Sequence, residues 1–337
     1  LLGNAFMAIR SLVAARRLVP RTTLRTALAS NDPRPRDLVG FTLMTMLYAS
    51  FSMMLYRSGV VLVHHLTRDD TATGLFATAL QMAEFVWVLV IAVEGVMLQS
   101  TARLWHEGRT AEISLLVSRA LRAVALVTGF LLTCVFVFAE DLLALYFGRA
   151  FVGAAPVLRI LIPGVFSFSL GRLIGPVLHA RGGVLRLAAV VGGATALNAL
   201  LAYVLVPAWG IKGAAVSTGT AYAVVLLPYA ISLRSAGVAA FHGFSPAKQL
   251  LSLLATGLVM ATIAHAPVPA VLRMVLGGVA GGIVFASLVL RLGLVRVPEF
   301  DALIASLPPS ISAPGRMAFG RVRPLLLFVA GRREGDV

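Results

Sequence analysis

The chain is short of the residues that build water-exposed surfaces and catalytic centres. Only 13% of its 337 residues are Asp, Glu, Lys or Arg, and just 14 are acidic. A soluble domain carries about 25% charged residues, so a soluble fold is excluded on composition. Cys134 is the one cysteine, which rules out disulfides within the chain and Cys-based metal sites. The six histidines do not gather around carboxylates. His64 and His65 adjoin Arg68, Asp69 and Asp70 and read as a solvated loop rather than a metal site. Segments alternating apolar and polar, which an outer-membrane barrel requires, are missing. So is a signal-peptide pattern. Nothing calls for a cofactor or metal, and none is expected.

What is present is apolar. Hydrophobic residues make up 59% of the chain, gathered in eight segments: 38–63, 73–98, 123–139, 156–178, 187–206, 214–233, 250–266 and 271–290. A helix rises about 1.5 Å per residue and a bilayer core is about 30 Å thick, so about 17–25 residues span it. Each segment is about that long. The expected fold is all-α: a polytopic integral membrane protein of about eight transmembrane helices.

Charge fixes the orientation. Twenty-two of the 29 Lys and Arg residues fall before the first segment, after the last, or in alternate gaps between. The opposite gaps hold Arg68, Arg149, Lys212 and Arg273. Basic residues near span ends favour the cytoplasmic side, so both ends of the chain are expected there, in a multi-pass cell-membrane protein. The net charge of +15 is therefore a topology signal suited to an anionic leaflet, not a nucleic-acid footprint. With 27 Arg against two Lys, a compositional bias adds to it.

Residues 1–9 are apolar but too short to span, and read as the end of an earlier membrane helix, or else as an interfacial helix. Residues 19–37, with Pro20, Pro33 and Pro35, read as a linker. From residue 293 onward prolines recur in a tail, where the apolar stretch 324–330 touches the membrane surface at most.

Three stretches, in order, resemble a known family. Residues 142–161, LLALYFGRAFVGAAPVLRIL, resemble the outer loop and helix start of polysaccharide flippases of the multidrug/oligosaccharidyl-lipid/polysaccharide transporter superfamily. Leu197-Asn198-Ala199-Leu200 followed by Val206-Pro207-Ala208-Trp209-Gly210-Ile211-Lys212-Gly213-Ala214-Ala215 is similar to the family's Asn-containing helix, Pro–x–x–Gly–Ile–x–Gly–Ala–Ala turn and small-residue helix. Gly74-Leu75-Phe76 resembles its Gly–x–aromatic helix start. The resemblance covers about 38–235 and implies four parts. Residues 1–37 are the end of a first lobe and a cytoplasmic linker. Residues 38–235 form a six-helix C-terminal lobe, 236–292 an additional helix pair, and 293–337 a cytoplasmic tail. It implies a C-terminal portion whose partner, an N-terminal lobe of the same polypeptide, is missing here.

Small residues have a packing role. Gly213/Ser217, Ala214/Thr218 and Ala215/Gly219 lie four apart on one helix, as do Gly277/Gly281 and Gly278/Gly282 on another. That spacing lets membrane helices approach closely. Pro207 is expected to stop its helix, with Gly210 and Gly213 permitting the turn.

Charges inside spans are costly and mark cavities or pairs. They are Arg57, Glu84, Glu94, Arg159 and Arg172. Glu84 and Glu94, ten residues apart, differ by about 80° on one helix and so can share a cavity. Asn198 and Tyr222 add polar candidates, as does Gln81. Equally, Arg57 or Arg172 pairs with Glu84 or Glu94 simply to join helices. Arg159, near a span end, is expected at the interface.

The resemblance implies export of a polyprenyl-(pyro)phosphate-linked oligosaccharide by alternating access. Arg57 and Arg172 would take the phosphate, Glu84, Glu94, Asn198 and Tyr222 would line the cavity, and membrane lipids would surround it. The family's acidic residue in the first helix of this lobe is absent: the chain reads Tyr56-Arg57-Ser58-Gly59. A drug/cation antiporter of the same superfamily is the alternative. A membrane enzyme, polymerase or glycosyltransferase, ranks lower. The longest internal loops, 99–122 and 234–249, carry no paired carboxylates or metal-ligand spacing.

Overall fold

A computed structural model describes residues 35–294. The tail, with its apolar stretch 324–330, and all but the last three linker positions lie outside these. The described residues form ten α-helices and one 3-10 turn, with no strand: α1 Pro35–Thr67, α2 Asp70–Glu84, α3 Trp87–His106, α4 Thr110–Val137, α5 Ala139–Tyr146, the 3-10 turn Arg149–Ala154, α6 Ala155–Ala180, α7 Val184–Trp209, α8 Ile211–Ser235, α9 Pro246–Ala264 and α10 Ala270–Arg291. Eight helical stretches are long and apolar enough to cross a membrane. The chain is an all-α polytopic membrane protein. By contacts, residues 35–47 group apart from those after them. They are the first turns of α1, where Leu43, Met46 and Leu47 are exposed.

From Tyr48 onward, α6 is the hub. It is apolar all round and buried along most of its length, as a helix without a polar face must be. It packs most extensively on α8, and also on α2, α3, α4, α5 and α7. Pro163 and Pro176 lie inside it. A membrane helix tolerates them because neighbouring helices re-satisfy the freed backbone groups.

Lipid is as apolar as Leu, so helices associate through close van der Waals contact and hydrogen bonds. One such close contact joins α6 to α8, where a Cβ on Gly164 would overlap the backbone of Gly219. On the opposite side of that contact a Cβ on Gly219 meets Ile160 O at an ordinary 3.6 Å.

Three local expectations are revised. The span 73–98 is two helices, broken at Phe85–Val86, where Val88 N donates to Phe85 O (3.2 Å) and Leu89 N to Val86 O (3.3 Å) in 3-10 fashion. Phe85, Val86, Trp87 and Val88 are bulky or β-branched, and such residues lose rotamer freedom in a helix. The loop 99–122 is almost entirely helical: α3 runs to His106 and α4 starts at Thr110. The charges there extend the helices past the apolar core as exposed pairs, Arg103–Glu107 at 2.8 Å and Arg109–Glu107 at 2.7 Å. Arg109, then Arg103, holds the Glu107 carboxylate below its ordinary range. Pro207 does not stop α7 but sits in its last turn. The stop is Gly210, at φ 57°, ψ −138°, a conformation that disfavours side chains. Three residues on, a Cβ at Gly213 would strike the Leu205 carbonyl.

The pair α9–α10 is joined to α4 and the segment after it. Gln249 Nε2 donates to Ala125 O at 2.7 Å, and Arg273 pairs with Asp141 at 2.7 Å. Gly277 faces the Phe138 ring and Gly281 faces Met260. Of the two glycine pairs on α10, Gly277/Gly281 makes these contacts, whereas Gly278 has nothing within 4 Å.

Gly164→Ala should lower unfolding stability in detergent by about 2 kcal/mol, the usual cost of overpacking. Gly219→Ala, on the open side of the same contact, should be neutral or slightly stabilising through helix propensity. Equal effects in a thermal-unfolding series would contradict this packing.

Candidate functional site

The hub helix carries a largely buried guanidinium, that of Arg172. It comes from α6, whose Gly171 and Gly175 line the same cleft as Arg172 itself. Its Nη2 and Nε donate to Glu94 Oε2 on α3, at 2.8 and 3.2 Å. Its Nη1 donates to the Tyr56 hydroxyl on α1 at 3.3 Å. The Arg172 and Glu94 side chains keep only 14% and 29% of their surface exposed. A guanidinium has five N–H donors, and these contacts use three. The pair sits at the edge of a narrow cleft of about 20 Å³ lined by Tyr48, Ser52, Tyr56, Glu94, Phe168 and Arg172, among others.

Aromatic rings wall the guanidinium. Its carbon lies 5.2 Å from the Trp87 ring centroid and 5.8 Å from that of Tyr56, cation–π geometry. Trp87 in turn packs on Phe168 (5.3 Å) and Tyr222 (5.5 Å), and Phe168 stacks on Tyr222 at 4.9 Å. Trp87 is the first residue of α3, immediately after the Phe85–Val86 break. On the other flank of the break, Glu84 accepts a 2.7 Å hydrogen bond from the fully buried Tyr222. Thus α2 and α3, though parts of one expected span, each contribute a carboxylate to the same cluster.

The expected site residues separate into three groups. Arg172, Glu94, Glu84 and Tyr222 come together. Arg57 is exposed on α1, near enough for its charge to act on Glu84. Asn198 is elsewhere: fully buried, it donates to Ser58 Oγ (3.0 Å) and accepts from Thr218 Oγ1 (3.4 Å). It ties α7 to α1 and α8. Of the two readings of the in-span charges, pairing describes Arg172 with Glu94. Arg159 binds Phe136 O (3.1 Å) and Glu140 (3.2 Å), joining the start of α6 to the end of α4. Gln81 is exposed.

Tyr56, Trp87 and Phe168 were not singled out by sequence reasoning. A signal existed for one of them. Tryptophan in membrane proteins favours the interface, whereas Trp87 lies in the middle of the segment 73–98.

Chemically, the cluster joins one guanidinium to two carboxyl groups, inside apolar surroundings where such interactions are strong. Solved structures share the chain's fold. The lipid II flippase MurJ, in an inward closed conformation, matches with a TM-score of 0.58 and 15% identity, over 74% of this chain and 53% of its own. A transporter of the MOP superfamily from Pyrococcus furiosus, described as having a binding pocket of reverse polarity, matches at 0.50 and 18%, over 74% and 64%. An outward-facing multidrug-resistance MATE transporter of the same superfamily matches at 0.50 and 16%, over 87% and 78%. The chain spans about half the length of the MurJ structure. No protein-family model matches it, and no curated protein matches its sequence. At these identities the likeness is one of fold: the chain has the fold of the MOP-superfamily transporters.

Removing one partner of a buried ion pair strands the other charge, at about 3–5 kcal/mol for a fully buried pair. For the partly exposed Arg172–Glu94 pair, Arg172→Met should cost about 2 kcal/mol in unfolding measurements. Arg172→Met combined with Glu94→Met should recover most of that loss. A double mutant as unstable as the sum of the singles would deny the coupling.

Proposed function

We propose that this chain is one lobe of an alternating-access flippase exporting a polyprenyl-(pyro)phosphate-linked oligosaccharide for cell-surface glycan synthesis. The observation that carries this reading is Arg172, a guanidinium held within a spanning helix with two of its five N–H groups outside its pairings with Glu94 and Tyr56 and a cleft beside it. Guanidinium groups bind phosphate through charge-assisted, bidentate hydrogen bonds. Exposed Arg57 adds a second positive group. Glu94 holds Arg172 in register until a phosphate replaces it. The sugars would meet Tyr and Ser side chains of the cleft, and the polyprenyl tail would stay in lipid.

In this reading residues 38–235 are a six-helix lobe, 236–292 an accessory pair, and both ends face the cytoplasm as the arginine distribution requires. One lobe supplies one wall of a translocation route. A second lobe, N-terminal in the same polypeptide, supplies the other, and the two rock about the site between them. In this reading the protein works as a transporter, with the connection between α3 and α4 shortened to residues 107–109.

A second reading is a drug/cation antiporter, favoured by the two carboxylates and four packed rings around Arg172. Both substrate classes are represented among solved structures of this fold, one titled a lipid II flippase and one a multidrug-resistance transporter.

The discriminating experiment places Arg57→Ala and, separately, Arg172→Lys in the full-length gene. Lys keeps the charge and the pairing with Glu94 but loses the planar fork. Each variant should reach the membrane at the normal level and lower surface glycan about tenfold or more, equivalent to about 1.4 kcal/mol of lost transition-state binding. Normal glycan from both variants, or raised sensitivity to cationic drugs with glycan intact, overturns the flippase reading.

A further inference from the structure

The groups around Arg172 make up a cation receptor in their own right. Glu94 takes two of its N–H groups and the Tyr56 hydroxyl a third. Trp87 and Tyr56 offer ring faces. The Arg172 charge also reaches Glu84, which Tyr222 holds in place. Carboxylates combined with π faces are the composition that recognises organic cations.

The receptor does not owe its shape to Arg172. Trp87 is wedged against Tyr56 (5.6 Å), Phe168 (5.3 Å) and Tyr222 (5.5 Å) by ring-to-ring contacts. Trp87, Phe168 and Tyr222 are all buried, and Gly171 and Gly175, one before and three after Arg172 in sequence, line the cleft. The pocket is rigid, negative and aromatic, and the chain's own side chain fills it.

We propose that Arg172 is a tethered occupant of an organic-cation site and thereby sets the polarity of the cleft. While its guanidinium sits on Glu94, Tyr56 and Trp87, a free guanidinium-type cation is shut out. Its remaining N–H groups are left beside the cleft as anion donors. A neutral residue at position 172 leaves the Glu94 carboxylate and the Trp87 and Tyr56 ring faces without their occupant, and a free cation can then take its place. This deepens the flippase reading and rests on it only for the use made of the site. The receptor stands on the contacts alone.

The test uses the full-length protein in lipid nanodiscs. The wild type, Arg172→Ala, Arg172→Lys and the double variant Arg172→Ala/Glu94→Gln are titrated with guanidinium chloride to about 20 mM, below denaturing levels, against sodium chloride of equal ionic strength. Unfolding temperature and tryptophan fluorescence are read. Arg172→Ala should bind saturably, with a dissociation constant on the order of 1 mM for so small a ligand. The wild type and Arg172→Lys, whose sites are filled from within, should bind at least about tenfold more weakly. Adding Glu94→Gln should abolish the gain. Should Arg172→Ala fail to fold alone, the same guanidinium range should restore its folded yield while sodium does not. Absence of saturable binding and of rescue, equal binding by the wild type, or binding indifferent to Glu94→Gln each overturns the proposal. Glycan export by Arg57→Ala and Arg172→Lys is scored separately, so normal export from both sinks the flippase reading and leaves the cation receptor standing.

Discussion

A guanidinium within a membrane helix is tolerable only if the protein supplies what water would have supplied, and much of this structure does that for Arg172. Charge in the bilayer interior is costly enough that partner, solvation and position must be provided together. The partner is Glu94 on α3, the solvating groups are the Tyr56 hydroxyl and the faces of Trp87 and Tyr56, and the position comes from α6, which touches most of its neighbours. The break at Phe85–Val86 belongs to the same arrangement. It separates the helix that brings Glu84 to Tyr222 from the helix that brings Trp87 and Glu94 to Arg172.

That cluster depends in turn on contacts with no charge at all. The α6–α8 approach at Gly164 and Gly219 brings Phe168 and Tyr222 close enough to stack. The Asn198 junction with Ser58 and Thr218 holds α1 near α8, and with it Tyr56 near Arg172. In lipid, where apolar burial gives helices little reason to choose one another, small residues and satisfied polar groups make that choice. Asn198 therefore orders the site without lining it.

How much was legible in the sequence differs by level. Spanning helices follow from apolar length alone, and six of the eight segments, those from 156 onward and the first, correspond to single helices in the structure. The span 73–98 was read as continuous because it contains neither Pro nor a run of polar residues. Its break instead accompanies bulky side chains committed to tertiary contacts. The loop 99–122 was misplaced because Arg103, Glu107, Arg109 and Glu112 look like loop composition, whereas ion pairs among them suit helix ends outside the apolar core. Among site residues, in-span charge picked out Arg172, Glu84 and Glu94 because charge in an apolar run is conspicuous. Tyr56 and Phe168 were invisible, since an aromatic residue in a membrane helix has no distinguishing pattern.

By itself the sequence determined that this is an all-α membrane protein and which of its residues are too polar to face lipid, because hydropathy and charge act residue by residue. Only the tertiary structure decided that Arg172 belongs to Glu94, that Glu84 belongs to Tyr222, and that Asn198 belongs to Ser58 and Thr218. All but the last of those partnerships join residues 78, 138 and 140 positions apart. In a medium that gives every apolar helix the same welcome, such partners are chosen by helix packing, which no local pattern encodes.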